Sequence, residues 1–140
     1  MGANLQDHFN GRIAYECTEP ITLNDIVHSV PRSVMAGLRY MFTRKGLLNM
    51  AASYSAGFLR ADPAAQSPDI QAGLGLFSFD KLSDGLHPFS GFYSAVRLLR
   101  PESRGTVMIT SADPMQAPAI RPNYLATEKD CSVLLAGMKA

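Results

Sequence analysis

The sequence predicts an α+β fold: an antiparallel β-sheet of about five to six strands with helices packed on one face. Two patterns carry that expectation. Helical periodicity is confined to residues 22–46 and 127–140. Between them lie short apolar runs separated by proline-, glycine- and serine-rich links, too short for the crossover helices of a parallel sheet.

The opening GANLQDHFNG is polar and glycine-bounded, so a loop is expected. RIAYEC, residues 12–17, sets Ile13 and Tyr15 against Ala14 and Glu16, the alternation of a half-buried strand that Pro20 ends. Thr22, with Asp25 three residues on, forms a capping box using Asp in place of Glu and starts a short helix. In the next helix, residues 33–46, Val34, Leu38, Met41 and Phe42 fall at i, i+4, i+7 and i+8, one apolar face. Pro31 suits its first turn, Arg44 and Lys45 its negative end, and Gly46 its C-terminal cap.

Residues 50–60, 70–80, 91–100 and 105–111 are predicted as strands, with the link PESR closing the last two into a hairpin. Gly73 and Gly75 inside a strand mark the close approach of another backbone or a ligand. RPESRGTVMITSADPMQAPAIRPNYL, residues 100–125, spells hairpin, turn and extended crossing. In the final helix Thr127 is the cap, and Cys131, Leu134, Leu135 and Met138 form the apolar stripe.

At 140 residues the chain can bury a core without staples. Net charge is +1 with no basic run, which gives no argument for nucleic acid or an anionic membrane. No apolar run reaches membrane-span length and the N-terminus lacks signal-peptide order, so a cytoplasmic protein is expected. Cys17 and Cys131 are expected as free thiols.

Chemistry is sparse. His8, His28 and His87 match no zinc spacing, and no metal is expected. There is no G-x-S-x-G elbow, and no serine is read with a histidine base beside it, which argues against a hydrolase. GLGLF lacks the third glycine and the following helix of a dinucleotide loop. The cluster of Phe77, Phe79, Phe89, Phe92 and Tyr93 is expected as sheet core. No residue is assigned a catalytic role.

Two stretches nevertheless carry a resemblance. Gly2, Asn4, Leu5, Gln6, Asp7 and His8 fit a G-x-NL-x-DH segment. Arg100, Pro101, Ser103, Arg104, Gly105, Val107, Ser111, Asp113, Pro114, Pro118, Ile120, Pro122, Asn123 and Tyr124 fit a longer R-P-x-S-R-G … P-N-Y run, followed by Asp130 and the AG-M-K of residues 136–139. Both resemble the glucose-methanol-choline (GMC) family of flavoprotein oxidoreductases, most closely its choline-dehydrogenase-like alcohol dehydrogenases.

The resemblance implies an antiparallel sheet laid over the flavin of FAD, an alcohol between them, and hydride transfer from the carbinol carbon to the cofactor. It implies that residues 1–11 are a remnant of the flavin-domain segment and that residues 12–140 are the substrate-binding domain, cut within its last helix. Met1 stands where the family has a small apolar residue, as if the chain began inside a longer one. The family's glycine loop for FAD and its catalytic histidine match nothing here, so no FAD is expected bound to this chain, which should be inactive alone.

Asn4, Asp7 and His8 are expected near the flavin of the parent protein. Asn49, Ser53, Tyr54, Ser55 and Phe77 are the substrate-pocket candidates. Residues 46–60 contain no acid to hold a quaternary ammonium, which favours a neutral alcohol over choline. The expected partners are the flavin-binding domain of the same parent and a small alcohol, with self-association of the isolated chain through its uncovered apolar face. The alternative is a free-standing, non-catalytic binding or dimerisation module.

Overall fold

The computed structural model describes residues 2–51 and 53–140, with the backbone alone at position 82. The reading of Met1 therefore lies outside the described residues, as does Ala52 within the run 50–60. The strands are β1 (Ala3–Leu5), β2 (Asn10–Glu16), β3 (Ser55–Leu59), β4 (Ile70–Gly75), β5 (Gly91–Leu98), β6 (Gly105–Met108) and β7 (Ala119–Arg121). The helices are α1 (Leu23–Val27), α2 (Val30–Thr43) and α3 (Glu128–Lys139), with 3-10 turns at Leu47–Asn49 and Leu82–Asp84. The fold is α+β, as predicted.

The strands form two antiparallel sheets, ordered β1-β6-β7 and β2-β5-β4-β3. The expected hairpin between residues 91–100 and 105–111 is therefore absent: β5 and β6 belong to different sheets. Its physical reason is Asp130, on the first turn of α3. One carboxylate oxygen accepts the Glu102 N–H at 2.9 Å, and the other accepts the Ser103 N–H at 2.9 Å and the Ser103 hydroxyl at 2.5 Å. The Ser103 oxygen in turn accepts the Ala126 N–H at 2.9 Å. Backbone that would close a tight hairpin is held to the helix instead. β6 then pairs with β7 through Thr106↔Arg121, Val107↔Ile120 and Met108↔Ala119, so the expected extended crossing contains a strand.

The chain divides into two compact units. One comprises Met1–Gly11, Phe58–Ala72 and Val96–Ala140; the other comprises Arg12–Gly57 and Gly73–Ala95. The core of the first is Ile70, Val96, Leu98 and Leu134, with Phe9, Ala61, Leu125 and Val133 packed at its margin. Here α3 is turned from the expected stripe: Asp130, Leu134 and Gly137 are its buried residues, while Leu135 is 57% exposed. Gly137 sets that rotation. A Cβ there would stand 2.8 Å from Ile70 Cδ1 and 2.9 Å from Val96 Cγ1, so any larger residue would have to displace these two buried side chains.

In the second unit the buried amide of Asn24 does the corresponding work. Its Nδ2 donates to the Ser78 carbonyl at 3.1 Å and the His87 carbonyl at 2.9 Å, and its Oδ1 accepts the Ser78 N–H at 3.0 Å. The capping box is present: the Thr22 N–H donates to Asp25 Oδ2 at 2.9 Å. The α2 helix ends earlier than expected, with Arg44 in the left-handed conformation (φ 56°) two residues before Gly46. Its apolar residues are exposed, and none of the helix is buried. The Gly75 signal also resolves: the Tyr93 ring lies where a Gly75 Cβ would project, so the close neighbour is an aromatic side chain.

Two outcomes follow for the first unit. Gly137→Val should destabilise it by about 2 kcal/mol through overpacking, read as a lower urea midpoint at unchanged slope. Burial pushes the Asp130 carboxyl up, but the hydrogen bonds from Ser103 and from the Glu102 and Ser103 backbone outweigh it and hold it below the ordinary value. Its contribution is then complete above the unfolded-state value of about 3.9 and is lost as pH falls through the lower folded-state value. Asp130→Ala should cost about 3 kcal/mol at neutral pH, because three donors lose their acceptor. The gap between the urea midpoints of Asp130→Ala and the parent chain should begin to narrow only below about pH 3.9 and go on narrowing as pH falls through the lowered folded-state value.

Candidate functional site

The two stretches that carry the family resemblance lie about a hundred residues apart and meet in the first unit. The register of β1 against β6, Ala3↔Thr106 and Leu5↔Gly105, shifts between the two pairs. Asn4 sits at that irregularity with φ 65°, a left-handed conformation that asparagine tolerates better than most residues. The Val107 N–H donates to the Gly2 carbonyl at 2.7 Å. Gln6 Nε2 donates to the Pro101 carbonyl at 2.8 Å, and the Tyr124 hydroxyl donates to Asp7 Oδ2 at 2.5 Å. The Phe9 and Tyr124 rings lie 5.5 Å apart and tilted.

These contacts shape a polar cleft of about 450 Å³ lined by Gln6, Asp7, His8, Leu99, Arg100 and Pro101. Asp7 is fixed from two sides, since Oδ1 also accepts the His8 N–H at 2.9 Å. The hydrogen bond from Tyr124 holds the Asp7 carboxyl below its usual range, and the same bond holds the Tyr124 phenol above its own. At neutral pH Asp7 is an anion with one oxygen committed to a neutral phenol. The cleft thus offers a carboxylate, an imidazole and the Arg100 guanidinium to a polar ligand.

The substrate-pocket candidates lie in the second unit and divide between two places. Asn49 closes the turn after α2, its N–H donating to the Gly46 carbonyl at 3.0 Å. Tyr54 is 60% exposed, and its N–H donates to the Leu74 carbonyl at 2.7 Å. Ser53 and Ser55 flank Gly73 of β4. Phe77 belongs to an aromatic group, stacked on Phe79 at 5.7 Å and edge-on to Tyr93 at 5.2 Å. The Arg12 guanidinium covers that group, 4.0 Å above the Phe79 ring, and Arg12 Nη2 donates to the Phe79 and Asp80 carbonyls at 3.0 and 2.8 Å.

One arrangement went unread in the sequence. His87 Nδ1 hydrogen-bonds Ser78 Oγ at 3.1 Å, while His87 Nε2 lies 3.3 Å from Asp80 Oδ1. Serine, histidine and aspartate therefore stand in series across ten residues. Ser78 is wholly buried, however, its Oγ also takes a hydrogen bond from Asn24 at 3.2 Å, and Gly91 packs directly on it. A nucleophile needs a path to its substrate, and this hydroxyl has none. The series fastens the loop 78–91. Its signal was the nine-residue spacing of Ser78 and His87 across a loop bearing Gly85, which gives no direction without the turn.

Among the described residues, no helix is long and apolar enough to cross a membrane, and no three His, Cys, Asp or Glu side chains converge on a metal position. Both cysteines are free and half-buried.

Residues 101–140 match the family described as GMC oxidoreductase. The chain is 37% identical over 93% of its length to an oxygen-dependent choline dehydrogenase of Vibrio vulnificus, covering 23% of that protein. It is 31% identical over 99% of its length to an alcohol dehydrogenase [acceptor] of Pseudomonas putida, covering 25% of it. Among solved structures, pyridoxine 4-oxidase from Mesorbium loti superposes over 99% of this chain and 23% of its own, with a TM-score of 0.69 and 25% identity. The chain thus spans about a quarter of the length of the relatives it matches. Over nearly its whole length, with both diagnostic stretches joined in one unit, the chain is similar to GMC oxidoreductases, and residues 101–140 match that family directly.

Proposed function

We propose that this chain is the substrate-binding part of a longer FAD-dependent protein that oxidises an alcohol, passing a hydride from a CH–OH group to the flavin. The observation that carries the reading is the junction of Gln6, Asp7 and His8 with Arg100, Pro101 and Tyr124. Two motif-bearing stretches distant in sequence are held together by direct hydrogen bonds around one polar cleft, an investment that a plain sheet connector does not need.

On this reading one edge of the cofactor lies against the segment that carries Asn4, Asp7 and His8. Asn4, Asp7 and His8 would face it, with Asp7 held as an anion by Tyr124 and His8 held in place through its own N–H. The sequence contains no glycine-rich strand-turn-helix to receive a pyrophosphate, so these 140 residues supply a wall of the site and not its cradle. When bound, FAD accepts the hydride. The pocket candidates Asn49, Ser53, Tyr54, Ser55 and Phe77 would offer hydroxyl, amide and aromatic surface to the alcohol.

A neutral alcohol is favoured over choline. Between Asp25 and Asp62 the sequence carries Arg32, Arg39, Arg44, Lys45 and Arg60 and no acidic residue. A quaternary ammonium entering past that segment meets like charge. The longer protein should purify yellow, absorb near about 450 nm, and bleach anaerobically with a primary aliphatic alcohol. The 140-residue chain should purify colourless. Flavin retained by the short chain, or choline turned over far faster than any neutral alcohol, would overturn the corresponding half of this proposal.

A further inference from the structure

A second surface of the molecule asks for a partner. On α2, Val30, Val34, Met35, Leu38, Met41 and Phe42 recur at i, i+4, i+5, i+8, i+11 and i+12, one continuous stripe. All six face water, from 43% exposed at Leu38 to 78% at Val30 and Phe42. Helices of this length owe most of their stability to a packed apolar face, and α2 buries none of its residues. Apolar patches of this kind mark interaction surfaces. Beside the stripe, between α1, α2 and the turn Leu47–Asn49, lies a cavity of about 230 Å³. Its lining combines the apolar Ile26, Met35 and Leu47 with the basic Arg32, Arg39 and Lys45. Arg32 lies 3.8 Å from Asp25, whose carboxylate also accepts hydrogen bonds from Thr22 and Ser90.

We propose that α2 and this cavity form a seam, covered in the longer protein by an apolar segment whose acidic side chain reaches Arg39 and Lys45. The inference rests on the reading that the chain is part of such a protein. Relatives matched along nearly all of this chain are about four times its length, which leaves ample polypeptide to supply the segment. Charge selects among occupants. A second copy would set the Arg32, Arg39 and Lys45 lining of one cavity against its own counterpart, and like charges facing each other oppose association. A segment bearing a carboxylate on an apolar surface matches both the apolar and the basic part of that lining.

The test places a cysteine at the exposed Met35 (M35C, with V34C as the second site) and follows maleimide addition by mass spectrometry. Addition should be slower by about tenfold or more in the longer protein than in the 140-residue chain. Adding Arg39→Glu and Lys45→Glu should restore the rate severalfold in the longer protein and leave the short chain unchanged. Equal rates in both proteins would overturn the seam. Protection of the short chain that grows with its own concentration would assign the face to a second copy, and protection appearing only with phosphatidylserine vesicles would assign it to a lipid surface; either would overturn the proposal. The flavin spectrum of the same preparation is read separately, so a colourless longer protein defeats the flavoenzyme reading without touching the labelling result.

Discussion

One buried carboxylate directs the path of the chain. Asp130 takes the N–H groups of Glu102 and Ser103 and the Ser103 hydroxyl onto its two oxygens, and Ser103 passes the connection to Ala126. A charge this deeply placed is tolerable only when hydrogen bonds replace its water. The requirement works in both directions: the donors cannot leave without stranding the charge, and α3 cannot turn without stranding the donors. The link after β5 is consequently tied to the helix, β6 begins in a different sheet, and β1 and β7 find their places on either side of it.

The cleft inherits its geometry from that tie. Pro101 immediately precedes the pinned pair, and its carbonyl receives Gln6. Tyr124 lies just before Ala126, which the same serine holds, and its hydroxyl receives Asp7 as acceptor. The ends of the proline-rich stretch are thus anchored through Asp130, and the polar N-terminal segment is drawn to them. Rigidity in the stretch has a use here, because proline-restricted backbone has less freedom to lose when it is anchored.

In the second unit the organising group is neutral. Asn24 presents both a donor and an acceptor to the loop that carries Ser78 and His87. The resulting Ser78–His87–Asp80 series has the composition of a nucleophilic site and the burial of a structural one. Composition and distance do not make a catalytic group where access is lacking. The aromatic group under Arg12 shows the same logic, since the guanidinium is engaged by two backbone carbonyls before any ligand arrives.

The sequence alone determined what depends on neighbours within a turn or a pleat: the α+β class, the Thr22 and Thr127 caps, the apolar stripe of α2, and the family resemblance in residues 2–8 and 100–124. These are short-range regularities, legible from spacing because backbone geometry fixes which side chains share a face. The tertiary structure decided the rest. That PESR is no hairpin depends on Asp130, twenty-eight residues from Glu102, and that α3 buries Gly137 depends on Ile70 and Val96. That Asp7 meets Tyr124 depends on pairing across more than a hundred residues. Such contacts leave no periodic trace, since what selects them is the need to satisfy a buried polar group or to fill a particular gap, and only the folded chain shows where each arises.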